Sequence, residues 1–322
     1  MMMRGYLWII LVTAALAVTP LMIASNTFFN FTVVVLIIAL AAQGWNLLGG
    51  IGGQTSFGHA MFFGIGAYTA SMLQTHLEVN AWVALLTAIA AGALAGLVVG
   101  FLSFRAGLRG SYFALVTLAF AELLRVLANA SELTGGASGL LLKLEPSLAN
   151  MQFSSRPTFM LLALAFVFIS LVITQYIVSS RFGAHLVAVR ENEDAAKALG
   201  VDVLAVKLKA ISLSGAMTAV AGVLYVQYFL YIDATIAFGL WISIEALLAP
   251  MVGGRGRVLG PLIGAFTLHG LGEITKSFAG RIPGIDLIVF AIVLIVVIAF
   301  ASTGILGLLR KLSDRFYAKG NA

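Results

Sequence analysis

The side chains best able to do chemistry lie in one run, Val189-Arg190-Glu191-Asn192-Glu193-Asp194-Ala195-Ala196-Lys197-Ala198-Leu199-Gly200. Leu186, Val189, Ala195, Ala196 and Leu199 alternate with charge, acids come early, Lys197 comes late, and Gly200 suits a left-handed stop. The pattern predicts one short, charged, solvent-facing helix. It serves either as a spacer between its neighbours or as a docking surface for a partner.

Other candidates stand inside apolar runs, where an ionised group costs roughly 2.5–3.5 kcal/mol and is a functional candidate by default. Glu245 lies between Ile244 and Ala246. It faces either a pathway or partner, or serves as a protonated or locally bonded structural acid. Glu122 with Arg125, and Glu273 with Lys276, are spaced for pairing on one helix face, which favours structural pairs. Gln43, Asn46, Gln54, Thr55, Ser56 and His59 surround Gly49, Gly50, Gly52 and Gly53. Glycine there frees the backbone for a break, and the polar groups either hydrogen-bond a passing zwitterion or satisfy the broken helix itself.

Catalytic constellations are missing from the sequence. A phosphate-binding loop needs Gly, four residues and then Gly-Lys-Ser/Thr, yet Lys276-Ser277 follows Thr275. There is no Gly-x-Ser-x-Gly elbow and no His-Glu-x-x-His helix, and His59, His76, His185 and His269 are scattered. With no cysteine, disulfides, thiolate metal sites and cysteine nucleophiles are excluded.

The elements that must position these residues are membrane helices. Of 322 residues, 61% are hydrophobic and 10% charged, against roughly 45–50% and 25% in soluble domains. At roughly 20 residues per span this fits on the order of ten crossings. Without a ten-residue period-two pattern, helices are preferred to a barrel. The expected spans are Tyr6–Ala24, Phe31–Leu48, His59–Thr75, Ala81–Ser103, Tyr112–Ala128, Pro157–Ser179, Ala210–Leu230, Ile236–Val252, Val258–Thr275 and Pro283–Leu306. The glycine-rich stretches before His59 and Val258 belong equally well to re-entrant or broken helices, which makes the range eight to ten. Arg4 and Ala15-Leu16-Ala17 mimic a cleaved signal, but the apolar helices that follow favour a start-transfer helix.

Charge sets the orientation. The 19 Lys and Arg against 13 Asp and Glu give +6, which here suits an anionic inner leaflet and not nucleic acid. With the N-terminus inside, only Arg125, Lys143, Arg156, Lys276 and Arg281 fall at or near the outside, leaving 14 of the 19 positive charges inside. Both termini are therefore expected in the cytoplasm. Residues 181–209 form the longest inside connection, and Asn129 to Arg156 the longest outside one, either spacer or docking surface. Gly92, Gly96 and Gly100 mark close helix packing. The glycine clusters Gly49 to Gly66 and Gly253 to Gly264 form a weak internal echo.

Three motifs in order carry a resemblance. The run Val189 to Gly200 resembles the coupling-loop motif of permease subunits of bacterial ABC importers, in the version of the branched-chain amino acid permease family. The segment Ser111-Tyr112-Phe113-Ala114-Leu115-Val116-Thr117-Leu118-Ala119-Phe120-Ala121-Glu122 resembles that family's segment after its fourth helix. Gly253-Gly254-Arg255-Gly256, with Gly260-Pro261 and Gly264-Ala265, resembles its late glycine motif. With Gly58, Gly64, Gly66, Ala67 and Tyr68 the likeness covers most of residues 35 to 305, and the M-like permease type fits better than the H-like. Pro250, Met251 and Arg257 depart from the usual pattern, which bears on substrate more than on fold.

The resemblance implies an all-α polytopic membrane helix bundle in which residues 1–322 form a single transmembrane permease domain and residues 181–209 its coupling loop. It implies a second, H-type permease subunit, two ATPase subunits that bind ATP and Mg, and a periplasmic substrate-binding protein. This chain itself binds no cofactor or metal. Arg190, Glu191, Asn192, Glu193, Ala195, Ala196 and Gly200 are the coupling residues it implies. Gln43, Asn46, Gln54, Ser56, His59 and Glu245 are the candidates for the path. Urea, short amides or another small amino-acid-like solute are alternative substrates, and a secondary transporter or channel is the alternative of another class.

Overall fold

The computed structural model describes residues 2–279, together with 288, 291, 292, 295 and 304–308. The architecture is helical. In chain order the long helices are α1 (Met2–Met22), α2 (Asn26–Trp45), α3 (His59–Leu77), α4 (Ala81–Arg105), α5 (Gly110–Ala130) and α6 (Arg156–Ser179). They are followed by α7 (Arg181–Glu191), α8 (Glu193–Ala198), α9 (Val203–Phe229), α10 (Ala234–Ala237), α11 (Leu240–Gly253) and α12 (Gly260–Ala279).

Helix ends follow local chemistry. Ser25 and Asn80 accept backbone N–H bonds at the starts of α2 and α4, and Asp202 does so for α9 through Ala205. Pro157 sits in the first turn of α6, where its missing N–H costs nothing. Glu78 and Leu230 end α3 and α9 in the left-handed conformation.

Among the described residues, seven segments are long and apolar enough to cross a membrane: Gly5–Met22, Asn26–Ile51, Ala81–Arg105, Gly110–Ala130, Arg156–Ser179, Val203–Phe229 and Ala234–Gly253. The expected spans over α3 and α12 are helical too, but His76, Gln74 and Thr75 in α3, and His269, Glu273 and Lys276 in α12, dilute their apolar content. The expected span Pro283–Leu306 lies largely outside the described residues.

The centre of the bundle is the span Asn26–Ile51, α2 and the turn that continues it, whose residues 35–51 are buried without interruption. Helix α9 lies against α2, α3 and α4. The α4–α9 contact runs on backbone: a Cβ on Gly92 would stand 2.7 Å from Gly215 O, and one on Gly96 would stand 2.6 Å from Ile211 O. The small-residue stripe therefore marks close packing, as its spacing predicts.

At one end of the bundle the connection from α5 to α6 is ordered. Leu140–Leu141 (β1) pairs antiparallel with Tyr231–Ile232 (β2), Leu140 opposite Ile232. The carbonyl of Leu133 lies 2.9 Å from His76 Nε2, and that of Leu148 accepts from Trp82 Nε1 at 2.9 Å. At the other end lie the α4–α5 turn, the glycine segments after α2 and α11, and the charged segment α7–α8.

Candidate functional site

The charged segment is two helices, where the sequence pattern predicts one. Asn192 is extended (φ −158°, ψ 108°), and its Oδ1 accepts from the N–H groups of Asp194 and Ala195 at 3.0 Å each. Asparagine competes for local backbone donors in this way, so it stops α7 and caps α8. Glu193 and Asp194 fall in the first turn of α8 and Lys197 in the last, matching the helix dipole. Gly200 is left-handed at φ +84°.

Burial sorts the residues expected to couple. Leu186, Val189 and Ala196 point inward and are buried with Ile51 and Val206. Arg190, Glu191, Asn192, Asp194, Ala195, Lys197, Leu199 and Gly200 are exposed. Of the small pair, Ala195 is exposed and Ala196 is buried in packing within the chain.

Glu193 also turns inward. Its carboxylate pairs with Lys207 of α9 and with Arg109 Nε at 2.9 Å. Lys207 is buried, and its ammonium stands 5.2 Å from the centre of the Phe104 ring. These ion pairs tie α8 both to α9 and to the α4–α5 turn. The sequence signal was faint: Lys207 shares the helical phase of the buried Ala210 and Ser214, three and seven residues on.

Beneath α7 the chain of α2 continues as a π-helical turn, Asn46–Ile51, whose carbonyl end faces two arginines. Arg190 donates to Gly50 O at 3.3 Å, and Arg255 donates to Gly49 O at 2.7 Å and 3.2 Å. Cations at a helical carbonyl end are favourable. Partial burial, and then the nearby Arg190 charge, hold the Arg255 guanidinium below the usual arginine range. Asn46 completes the junction, its Oδ1 accepting from Gly256 N at 2.8 Å and its Nδ2 donating to Arg257 O at 3.0 Å. The two glycine clusters are thus joined in space.

The path candidates divide accordingly. Asn46, Ser56 and His59 hold the break together. Ser56 Oγ accepts from Gly58 N at 3.1 Å, while its carbonyl accepts from Trp45 Nε1 at 2.8 Å. Ser214 gives its proton to Gly44 O at 2.7 Å, so His59 Nε2 donates to Ser214 Oγ at 2.8 Å. Among the described residues the Gln54 side chain makes only a 3.5 Å contact with Gly52 O, and Gln43 is buried with neither amide atom paired. Glu245 stands apart from this group, its Oε2 3.5 Å from His269 Nε2 of α12. Glu122–Arg125 and Glu273–Lys276 are paired as their spacing predicts.

Residues 27–298 match the family described as branched-chain amino acid transport system / permease component. The high-affinity branched-chain amino acid transport system permease protein LivM of Escherichia coli (strain K12) is 29% identical over 283 residues, 80% of this chain and 66% of that protein. The chain thus covers just under two thirds of the LivM relative. The corresponding LivH protein of the same organism is 30% identical over 291 residues, 84% of this chain and 91% of that protein. A nucleoside ABC transporter permease protein, NupC of Lactococcus lactis subsp. cremoris, is 35% identical over 108 residues, 33% of this chain and 32% of its own length. The family match spans more than half of the chain and the structure is a multi-pass helix bundle; this chain belongs to the branched-chain amino acid ABC permease family, whose members are not themselves catalytic.

Proposed function

We propose that this chain is one permease half of an ATP-driven importer for branched-chain amino acids in a bacterial cytoplasmic membrane. A second, H-type permease completes the passage. A periplasmic binding protein delivers substrate at the end that carries β1 and β2, and two ATPases dock at the α7–α8 end. The positive-inside count puts both termini and α7–α8 in the cytoplasm, with about ten crossings in all. ATP and Mg belong to the ATPases, and this chain binds no nucleotide.

The observation that carries the reading is the α7–α8 corner. It exposes Glu191, Asp194, Ala195 and Lys197, while Glu193 and Arg190 attach it to α9 and to the broken end of α2. Such a corner transmits a push from a docked subunit to the core. Arg190, Glu191, Asn192, Ala195 and Gly200 form its outer surface, and Glu193 and Ala196 its anchor. The route of the substrate passes Gln43, Gln54 and Glu245, whose polar atoms are unpaired or weakly held among the described residues.

Reconstitution of the complete complex tests this. Uptake of leucine, isoleucine or valine that needs ATP and the binding protein is expected. Glu191→Lys should release the ATPases or uncouple hydrolysis from uptake while the permease stays in the membrane. Uptake by this chain alone under an ion gradient, or normal coupling in that variant, would refute the reading.

A further inference from the structure

Helix α5 is buried only at Phe113, Ala114, Thr117, Ala121 and Ala128. Its opposite side exposes Tyr112, Leu115, Ala119, Glu122 and Val126, one stripe at three- and four-residue spacing. At the edge of that stripe Arg125 Nε donates to Glu122 Oε2 at 2.9 Å and Arg125 Nη2 to Glu122 Oε1 at 2.6 Å. The two side chains remain 35% and 56% exposed.

Depth makes this exposure informative. Glu122 lies twelve residues beyond Gly110 in a 21-residue helix, ~18 Å along an axis that spans the hydrocarbon layer. An ionised pair open to lipid at that depth is costly, whereas one facing water is not. The pair is spared that cost where the exposed stripe of α5 faces an aqueous space and not acyl chains.

The chemistry of the pair fits one ligand class. Arg125 Nη1 has no hydrogen bond among the described residues, and each Glu122 oxygen accepts one bond, leaving a lone pair free. A donor and an acceptor are thus available side by side, with Leu115, Ala119 and Val126 as an apolar strip alongside. We propose that this face of α5 lines the passage and that Arg125 holds the carboxylate and Glu122 the ammonium of a zwitterionic apolar α-amino acid in transit. The assignment rests on the chain being a permease half, and it places substrate contact on side chains outside the Gln43–His59 cluster.

Because the chain has no cysteine, a single introduced thiol is the sole one on this subunit, and labelling is read on its separated band. In the reconstituted complex, Ala119→Cys should react with a membrane-impermeant anionic methanethiosulfonate during turnover, and leucine should slow the reaction. Leu94→Cys, on an exposed position of α4, should stay unreactive. Glu122→Gln and Arg125→Gln should each lower uptake per ATP by about tenfold, the worth of one charge-assisted hydrogen bond. The exchanged pair Glu122→Arg/Arg125→Glu should not restore it. An Ala119→Cys thiol as inert as Leu94→Cys while uptake proceeds, or full rescue by the exchanged pair, overturns the proposal and leaves a structural ion pair. Wild-type uptake without need of ATP would instead overturn the permease reading beneath it.

Discussion

The ammonium of Lys207, buried near the start of α9, closes on the carboxylate of Glu193, the first residue of α8. The charged corner is thereby fastened to the helix that packs on α2, α3 and α4. An ion pair in such a place gives attachment more than net stability, because both charges were stripped of water to form it.

Removing only the lysine leaves Glu193, 14% exposed, with Arg109 as its remaining cation. Lys207→Met should destabilise the purified protein by about 3 kcal/mol, as for other half-broken buried pairs. The double variant Lys207→Met/Glu193→Gln carries no stranded charge and should recover most of that loss. Thermal unfolding of the three proteins checks this, and a double variant no better than the single one would sink it.

The α7–α8 corner depends on one amide side chain. Asn192→Ala removes the acceptor of two N–H groups and should weaken α8 by about 1 kcal/mol, so that the amides of 194–198 exchange hydrogen roughly fivefold faster. Asn192→Asp keeps the acceptor and should exchange as the parent does. Equal exchange in the alanine and aspartate variants would contradict the capping role.

Glycines on α4 and α12 should respond in opposite directions. Gly96→Leu forces backbone apart where a Cβ alone would lie 2.6 Å from Ile211 O, and should cost about 3 kcal/mol and lower accumulation in the membrane. Among the described residues nothing lies within 4 Å of a Cβ on Gly270, which sits inside α12, so Gly270→Ala should stabilise by roughly 0.5–1 kcal/mol. Tm shifts of the same sign in both variants would refute the packing argument.

Asn46→Leu strips partners from Gly256 N and Arg257 O together. The expected cost is about 3 kcal/mol, paid as opening of the segment between α11 and α12. Limited trypsin digestion should then cut after Arg255 and Arg257 faster than in the parent. Unchanged cutting would show that Arg255 and the π-helical turn hold the segment without Asn46.

Much of the helical order was legible because it is local. Apolar runs, Pro157 at the start of α6 and the glycine spacing of α4 each act within a few residues, as do the pairs Glu122–Arg125 and Glu273–Lys276. The site was legible only in part. The run Val189 to Gly200 stood out by charge, but its corner at Asn192 turns on one residue preferring to cap than to continue a helix. Asn46, Ser56 and His59 looked equally fit for a solute or for the break, and only their partners, 211, 2 and 155 residues away, show the bonds they make. Lys207 was hidden because a lysine beside Lys209 near a helix start suggests solvent, and its acid lies 14 residues back.

The junction of the two glycine clusters also fixes an order of manufacture. Gly50 is made 140 residues ahead of Arg190, and Asn46 is made 210 residues ahead of Gly256. At ribosomal rates of about 5–20 residues per second, the second interval is roughly 10–40 s. The carbonyl of Gly50 waits for Arg190, and that of Gly49 waits longer, for Arg255. This end of the bundle is therefore sealed late in synthesis, by Arg190 and then by Arg255 to Arg257.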